Sequence, residues 1–414
     1  MDSSRRYENT LVIILFFTWG TVFLDRMSQL YLAPYFAPEF HLSEEQIGTL
    51  ASVVAISWAA STFSLGALSD RLGRKRVLMP AVFVFSALSG ASALAHSFHQ
   101  LLLIRALLGF AEGPTWSVIT ALIEESSHPS RRGRNVGMVV SAAALVGLAL
   151  APVLTTQVAS RWGWRSAFLV AGAPGILMGL VIWKLVQEPE ESVHGSGHGK
   201  ASFSEYFAIL RHRNMWLCCL GTAGFMSWLF VMNVFAPLYI TRVAHQPPTT
   251  AGFLMGASGL GSFFLGFLLP ALSDRVGRKP VLLLMAAMSA VVPIAYLAPV
   301  LYAHSLVLAA IVFLTNTGQG IASLIMVLVP TESVPSQFRA TSIGLATLVG
   351  EVMGATVAPM LAGALAEMYG LGLTMWLAAG GSAVLFLVAL FLRETAGADP
   401  TLLPAWQSSS EGTG

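Results

Sequence analysis

Long apolar runs separated by short polar turns recur along the whole chain. Runs of about 20 apolar residues have the length of a helix that crosses a bilayer. Because the bilayer core offers no water to the backbone, such runs are expected to be α-helical. The polar/apolar alternation of a membrane β-barrel is absent from the sequence. The pattern predicts twelve helices, at about 11–36, 44–68, 77–96, 99–124, 135–158, 166–187, 214–241, 249–272, 280–301, 304–330, 337–368 and 371–393.

A polar stretch near the middle divides these helices into two sets of six. It begins at Glu188 and is rich in Glu, Gly, Ser and His. The predicted fold class is an all-α membrane protein with two pseudo-symmetric six-helix bundles. Its predicted parts are an N-terminal bundle at 1–187, a linker at 188–213, a C-terminal bundle at 214–394 and a tail at 395–414.

Two similar basic turns indicate that the bundles are repeats of one another. The turn after helix 2 reads GALSDRLGRK and ends at Lys75, and the turn after helix 8 reads LSDRVGRK and ends at Lys279. Pro152 and Pro359 are a second pair of landmarks, also about half a chain length apart. Repeated bundles of this kind are common in secondary transporters.

Composition and charge narrow the class of protein further. The chain is 55% hydrophobic and 11% charged, whereas soluble domains are roughly 25% charged. A net charge of +2 gives no footprint for nucleic-acid binding. No phosphate-binding Gly-rich loop, nucleophile constellation or metal-ligand cluster stands out, so we expect neither ATP-driven transport nor an enzyme. No cofactor is expected, and only a proton is expected to serve as coupling ion.

Lys and Arg residues set the expected orientation. They concentrate in the loops on the side of the N-terminus, whereas the other side carries Arg161, Arg165 and Arg242. Basic loops remain in the cytoplasm. Both termini and the linker are therefore expected to be cytoplasmic in a multi-pass protein of the cell (inner) membrane. The first apolar run is long and lacks a small-residue cleavage site, so it is expected to be an uncleaved first helix.

Five ionisable residues stand out within the predicted helices, since an ionisable group at mid-bilayer costs roughly 2.5–3.5 kcal/mol. They are Asp25 and Arg26 in helix 1, Arg105 and Glu112 in helix 4, and Glu351 in helix 11. Arg105 and Glu112 are seven residues apart and share a face, so a buried ion pair between them is one interpretation. Asp25 and Arg26 are adjacent and point in different directions, which favours a polar cavity for that pair.

Several segments resemble a known family of transporters. The GALSDRLGRK turn resembles the signature of the major facilitator superfamily, and the resemblance extends over essentially the full chain. The segments at 24–28, 105–114 and 162–168 resemble the anion:cation symporter group of that superfamily. The resemblance implies two bundles that rock about a central site, with alternating access. It also implies transport of organic anions, such as sugar acids and small carboxylates, together with protons.

The resemblance also suggests a role for each charge inside the membrane. Arginine stays charged and binds a carboxylate bidentately, whereas a buried carboxylate can carry a proton. By matching position, Arg26 would contact the anion, Asp25 and Glu112 would exchange protons, and Arg105 would support Glu112. Glu351 departs from the pattern, and three roles remain open for it. It is a further proton-coupling site, a partner of Arg26 in the empty cavity, or a group that recognises an amine.

Polar residues elsewhere in the helices are secondary candidates for substrate binding, namely Tyr31, Asn233, Asn316 and Gln319. The basic turns have two interpretations. They either anchor the topology at the anionic inner leaflet or also latch one bundle to the other in one state of the cycle. The residues of this conformational latch are Asp70, Arg71, Gly73, Arg74, Asp274, Arg275 and Arg278.

The sequence thus predicts a monomeric, bilayer-embedded symporter that moves a small organic anion (a monocarboxylate, sugar acid or aromatic acid) with protons. One alternative is a proton-driven efflux antiporter of drugs or other lipophilic cations, for which Glu351 and the aromatic residues would be suited. A non-transporting sensor on the same fold is a second alternative. It would be expected to carry a sizeable cytoplasmic domain, for which 401–414 is too short.

Overall fold

A computed structural model describes residues 3–128, 130–188, 212–335 and 338–396, and all of its regular structure is helical. Residues 189–211 of the predicted linker and 397–414 of the predicted tail lie outside these ranges. In the first basic turn, the side chains of Asp70 and Arg71 are likewise outside the described part.

The N-terminal half contains six helical spans, labelled α1 to α6. The first four are α1 Ser3–Glu39, α2 Glu44–Leu72, α3 Arg74–Ser92 and α4 Phe98–Ser126. Span α5 begins with Arg132–Ala142 and continues through the π-helical segment Ala143–Leu150 into Ala151–Leu185. The chain reverses inside that last helix at Gly163, whose φ is +82°, so 164–185 is α6.

The C-terminal half repeats this order as α7 to α12. Its first three spans are α7 Arg213–Leu238, α8 Pro248–Val276 and α9 Arg278–Tyr296. Span α10 is made of Ser305–Thr315, Gly318–Ala322, Ser323–Leu328 and Val329–Glu332. Span α11 runs through Arg339–Val349, the π-helical Gly350–Val357 and Ala358–Tyr369, and α12 is Gly372–Phe391.

Among the described residues, nine helices are long and apolar enough to cross a membrane. One of them, Arg132–Leu185, contains the reversal at Gly163 and therefore counts as two spans. Helices α2 and α3 lie where the sequence predicts them and complete the twelve. The prediction of one continuous helix at 304–330 is wrong, because α10 breaks at Asn316 and Thr317.

Glycines shape the two basic turns. Gly73 and Gly277 have φ angles of +106° and +110°, a region that residues with a Cβ rarely adopt. Each glycine ends one helix and begins the next. The chain therefore reverses in a single residue between α2 and α3, and again between α8 and α9.

In contrast to a soluble protein, the helices carry many large apolar side chains on their outer surface. Large apolar side chains such as Leu103, Phe264 and Leu268 remain more than half exposed on the outside of the bundles. Exposed apolar surface of this extent marks a membrane-facing protein. The outer surface of the helices therefore suits the hydrocarbon of a bilayer.

Among the described residues, the two halves pack against each other at one end, which we call the distal end because it lies opposite residue 3, Gly73 and Arg213. There, the apolar core of the C-terminal half is continuous with residues of α1, α2, α5 and α6. At the other end, the terminal end, the N-terminal half has a separate core that includes Leu15, Val82 and Ile119. The described part of the molecule is thus closed at the distal end.

Glycines allow the two halves to meet closely at the distal end. A Cβ on Gly48 of α2 would lie 2.4 Å from the carbonyl oxygen of Pro359. A Cβ on Gly259 of α8 would lie 2.1 Å from the carbonyl oxygen of Leu148. The halves therefore pack backbone against backbone, as small residues permit between membrane helices. A salt bridge of 2.9 Å between Arg242 and Glu44 lies at the same end.

Candidate functional site

Arg26 reaches from α1 to the opposite half of the molecule. Its Nη2 donates to Glu351 Oε2 on α11 at 3.2 Å, and both residues are buried, with 5% and 6% of their surface exposed. Among the described residues, this is the single hydrogen bond of the guanidinium. Glu351 lies in the π-helical part of α11, a distortion often found at functional sites. Of the three roles left open for Glu351, the structure shows it as a partner of Arg26.

Two aromatic rings flank the Arg26 guanidinium. Trp58 of α2 and Phe230 of α7 each have a ring centroid 5.3 Å from its central carbon. Rings at this distance attract a cation through their π faces. The indole N–H of Trp58 is buried and has no hydrogen-bond partner among the described residues. Arg26 and Trp58 therefore provide a cation and an unused donor at one place.

Asp25 points away from Arg26, into the N-terminal half, as expected for neighbours on a helix. Its Oδ1 accepts a short hydrogen bond from Ser89 Oγ of α3 and lies 3.7 Å from Nη1 of Arg105. Arg105 is fully buried and packs over the ring of Phe168, 4.5 Å from its centroid. The other carboxylate oxygen of Asp25 makes no hydrogen bond to a described residue.

Glu112 is a buried carboxylate without a direct partner. Both of its carboxylate oxygens lack a hydrogen bond to any described residue. Asp25, Arg26 and Arg105 are nevertheless near enough to act on it electrostatically. The predicted ion pair between Arg105 and Glu112 does not form, because Arg105 turns to Asp25 instead. The expectation that Arg105 directly supports Glu112 is therefore corrected to a longer-range effect of its charge.

Tyr31 and Asn233, two predicted substrate-binding residues, contact each other between the halves. The hydroxyl of Tyr31 on α1 donates to Asn233 Oδ1 on α7 at 3.0 Å. Asn233 also donates from Nδ2 to the carbonyl oxygen of Leu229 on its own helix, at 2.7 Å. Both side chains are buried. They form a second polar contact between α1 and the C-terminal half, roughly 7.5 Å along α1 from Arg26.

Asn316 and Gln319 lie on either side of the break in α10. Asn316 donates from Nδ2 to Ser258 Oγ on α8 at 2.6 Å, and its Oδ1 accepts from the backbone N–H of Gly318. Gln319 is half-buried, and its backbone N–H donates to Ser262 Oγ at 2.9 Å. The break lies between them within the helix predicted at 304–330, so the two residues do not share one regular helix. In this conformation both Asn316 and the Gln319 backbone stabilise contacts within the C-terminal half.

The basic turns make their described contacts within their own halves. In the first turn, Arg74 donates to Glu125 Oε1 of α4 at 3.0 and 3.1 Å and to Ser69 Oγ at 2.8 Å. In the second turn, Arg278 donates to Ser273 Oγ and to the carboxylates of Asp274 and Glu332. Arg275 is exposed. The contacts named here for Arg74 and Arg278 all stay within one half, and the latch remains a prediction for another state.

Each basic turn is also held by a glutamate that follows the last helix of its half. Glu188 accepts from the backbone N–H of Lys75, and Glu394 accepts from the backbone N–H groups of Arg278 and Lys279. Partial burial works against ionisation of Glu394, but its bonds to four backbone N–H groups outweigh it and lower the pKa of this carboxyl. An anion at a helix N-terminus is stabilising. Because each half has a glutamate in this position, the repeat extends to these two carboxylates.

Three residues of the site were not predicted from the sequence: Trp58, Phe230 and Ser89. Each is one of many residues of its type in the apolar runs, and the sequence does not fix the rotation of a helix to within one residue. Ser89 carries the clearest signal, because it belongs to a run of buried serines, Ser86, Ser89 and Ser92, spaced by three on α3. Such spacing indicates a polar stripe on one face of a helix.

Comparison with known proteins agrees with this architecture. A model of the Major Facilitator Superfamily matches residues 15–355. The chain belongs to this superfamily. Superfamily members and the relatives below are transporters, so this protein is a multi-pass membrane transporter and not an enzyme.

Two relatives and one solved structure illustrate the similarity. The chain is 29% identical over 348 residues to a probable 4-methylmuconolactone transporter of Cupriavidus pinatubonensis, covering 81% of this chain and 79% of the relative. It is 30% identical over 338 residues to the 3-(3-hydroxy-phenyl)propionate transporter of Escherichia coli, covering 79% of each. A bacterial homologue of the human lysosomal transporter Spinster, crystallised inward-facing and unoccupied, has the same fold. That structure has a TM-score of 0.72 and 21% identity, covering 93% of this chain and 95% of the other.

Proposed function

We propose that this superfamily member is a proton-coupled symporter that imports a small organic anion. The observation that carries the proposal is the Arg26 guanidinium, buried where the two halves meet and held by one hydrogen bond. A fixed cation at this depth needs an anion. One relative is named as a probable 4-methylmuconolactone transporter and the other as a 3-(3-hydroxy-phenyl)propionate transporter, and the second name supports an organic acid as the class of substrate.

The donors around Arg26 suit a carboxylate on an apolar or unsaturated body. The guanidinium can offer two parallel N–H groups to one carboxylate. The free indole N–H of Trp58 adds a third donor. The rings of Trp58 and Phe230 supply an apolar wall for the rest of the substrate. Tyr31 and Asn233 offer hydroxyl and amide groups for a polar substituent.

The balance of buried charge supports coupling to protons. The five ionisable residues in the membrane interior are two arginines and three carboxylates, so one bound proton makes the set neutral. A bound monoanion adds one negative charge, and one further proton restores neutrality. We assign this proton exchange to Glu112 and Asp25, whose carboxylates have oxygens without hydrogen bonds to described residues. Burial without such bonds disfavours the charged form of a carboxyl group.

The proposed orientation makes the structure an inward-facing state. Because basic loops remain in the cytoplasm, we propose that the terminal end is cytoplasmic and that the protein lies in the inner membrane. The closed distal end then faces outward, and the substrate would leave toward the cytoplasm. We propose that one chain completes the cycle as a monomer, because the site is built from α1, α2, α4, α7 and α11 of a single chain.

The alternative of cation efflux loses its main support in the structure. That alternative was based on Glu351 together with the aromatic residues, and Glu351 is paired with Arg26 at 3.2 Å. A lipophilic cation would have to approach a site that already contains a guanidinium. The anion is therefore the better fit to the charges present.

Uptake into proteoliposomes tests the proposal. Labelled 3-(3-hydroxyphenyl)propionate, cis,cis-muconate and galactonate are offered with and without an inward proton gradient. We expect accumulation of at least one acid that collapses with the gradient, and its loss in Arg26→Gln. Arg165→Gln is the matched control, because Arg165 forms a half-exposed pair with Glu39 at the distal end. Proton-driven expulsion of a quaternary ammonium dye, without uptake of any acid, would instead establish efflux.

A further inference from the structure

We infer that Glu351 is a built-in competitor of the substrate, an anion of the chain itself that occupies Arg26 whenever the inward-facing carrier is empty. This inference rests on the proposed function. The substrate carboxylate and the Glu351 carboxylate would use the same guanidinium, so only one of them can hold it fully. Release of substrate to the cytoplasm is then favoured by the return of Glu351 to Arg26.

The geometry of the pair suits a partner that can be displaced. Glu351 makes a one-point contact through a single oxygen at 3.2 Å. Charge-assisted bonds of this kind are shorter at their best, about 2.7–2.9 Å, and a guanidinium binds a free carboxylate through two parallel bonds. A substrate acid can therefore form a stronger pair than Glu351 does. Glu351 neutralises Arg26 without binding it as tightly as a mobile carboxylate could.

The position of Glu351 links this competition to the transport cycle. Arg26 belongs to the N-terminal half and Glu351 to the C-terminal half, so rocking of the bundles changes their separation. The π-helical segment of Glu351 is itself part of the distal closure, where Ser52 Oγ of α2 donates to the carbonyl oxygen of Thr356 at 2.6 Å. Thr356 Oγ1 also donates to the carbonyl oxygen of Glu351 at 2.9 Å. Opening the distal end would draw this segment, and Glu351 with it, away from Arg26.

Among the described residues, the helices that pack around Glu351 offer it no buried cation other than Arg26. On α2 and α7, which pack against its segment, the acidic and basic residues stand in the terminal turns. Asp25, Arg105 and Glu112 are the other charged groups of the membrane interior, and all three belong to the N-terminal half. Substrate affinity would therefore be high with the distal end open and Arg26 free. It would be low in the state seen here.

Binding calorimetry on purified Glu351→Gln tests the inference. The glutamine keeps the size of the side chain but removes the charge that competes for Arg26. With the acid that the wild-type protein takes up, we expect about tenfold tighter binding to the variant, a change of about 1.4 kcal/mol. Glu367→Gln is the matched control, since Glu367 is exposed on the same span and should leave affinity unchanged.

The outcomes separate this inference from the proposed function. Unchanged or weaker binding by Glu351→Gln, with normal uptake by the wild type, would overturn the role of Glu351 alone. Weaker binding would specifically indicate a direct contact between Glu351 and an amino group of the substrate. If the wild-type protein neither binds nor takes up any of the three acids, the proposed function itself fails. Glu351→Gln should also slow net uptake, because release of the substrate toward the cytoplasm becomes slower.

Discussion

A single methyl group added at Gly259 should open the distal end of the carrier. Gly259 lies on α8, where it faces the backbone of α5 across the boundary between the halves. A Cβ there would meet three backbone atoms, the carbonyl oxygen and carbon of Leu148 at 2.1 and 2.2 Å and the amide nitrogen of Ala149 at 2.5 Å. None of these is the end of a flexible side chain, so relief requires the two helices to separate by roughly 1.4 Å, to ordinary contact distance.

The expected size of the effect follows from the cost of overpacking. Forcing an extra carbon into a packed interface costs typically about 1–3 kcal/mol. This cost falls only on conformations in which α8 and α5 are in contact. Gly259→Ala should therefore shift the equilibrium away from the closed distal end by roughly 5- to 150-fold. The two bundles themselves should remain folded.

Cysteine accessibility measures this shift. Ser52 is itself part of the distal closure and is 4% exposed, so a cysteine placed there in every variant, including the reference, is labelled faster by a maleimide when the closure opens. The two native cysteines, Cys218 and Cys219, are buried and would be replaced by alanine in all variants. Gly259→Ala in this background should raise the labelling rate by a factor in the range given above.

Two further variants decide what the labelling means. Gly380 on α12 has no atom within 4 Å of its would-be Cβ, so Gly380→Ala should leave the rate unchanged. Gly48→Ala, which would place a Cβ 2.4 Å from the carbonyl oxygen of Pro359, should raise it as Gly259→Ala does. An unchanged rate in Gly259→Ala would refute the reasoning. An equal rise in Gly380→Ala would also refute it, by indicating general loosening.

Three further changes address the charges and donors of the site. Glu112→Gln should keep exchange of labelled for unlabelled acid but lose gradient-driven accumulation, and accumulation measured in this variant would exclude Glu112 as a proton carrier. Trp58→Phe keeps an aromatic ring beside Arg26 but removes the free N–H. Affinity measured by calorimetry should then fall about tenfold, and an unchanged affinity would exclude this donor. Arg105→Met leaves Asp25 without its counter-ion and should lower the free energy of unfolding by about 3–5 kcal/mol. Adding Asp25→Asn should recover most of that loss in thermal unfolding, whereas a further loss would contradict the pairing.

Much of the fold could be predicted from the sequence because the membrane imposes simple rules. Apolar runs of one length give the spans, and the duplicated basic turn gives the repeat. The divergence of Asp25 and Arg26 also follows from helix geometry alone. The break in α10 was missed, although the polar run around Asn316 and Thr317 inside an apolar span is a signal that could have indicated it.

Partners within the site were harder to predict, since they depend on which helices are neighbours and how each is rotated. Seven-residue spacing made an ion pair of Arg105 with Glu112 one interpretation. In the structure α1 packs beside α4 and brings Asp25 closer, and Ser89 of α3 completes the group. Trp58 is one of ten tryptophans in the chain, and its place beside Arg26 follows only from the packing of α2 against α1.

The division of contacts between the halves has a consequence for coupling. Asp25 and Arg105 both belong to the N-terminal half, so their pair can persist while the bundles rock. The contact of Arg26 with Glu351 crosses between the halves, as does the hydrogen bond from Tyr31 to the C-terminal half. Rocking therefore breaks and re-forms the contacts of Arg26 and Tyr31, the residues that would hold the anion. Asp25, which we propose exchanges protons, keeps its partner within one rigid bundle. The anion site and the proton site are connected because Asp25 and Arg26 are consecutive residues of α1. A change of charge next to one of these residues therefore alters the electrostatic potential at the other. An anion arriving at Arg26 would favour protonation of the carboxylates beside it, which is the sign that symport requires.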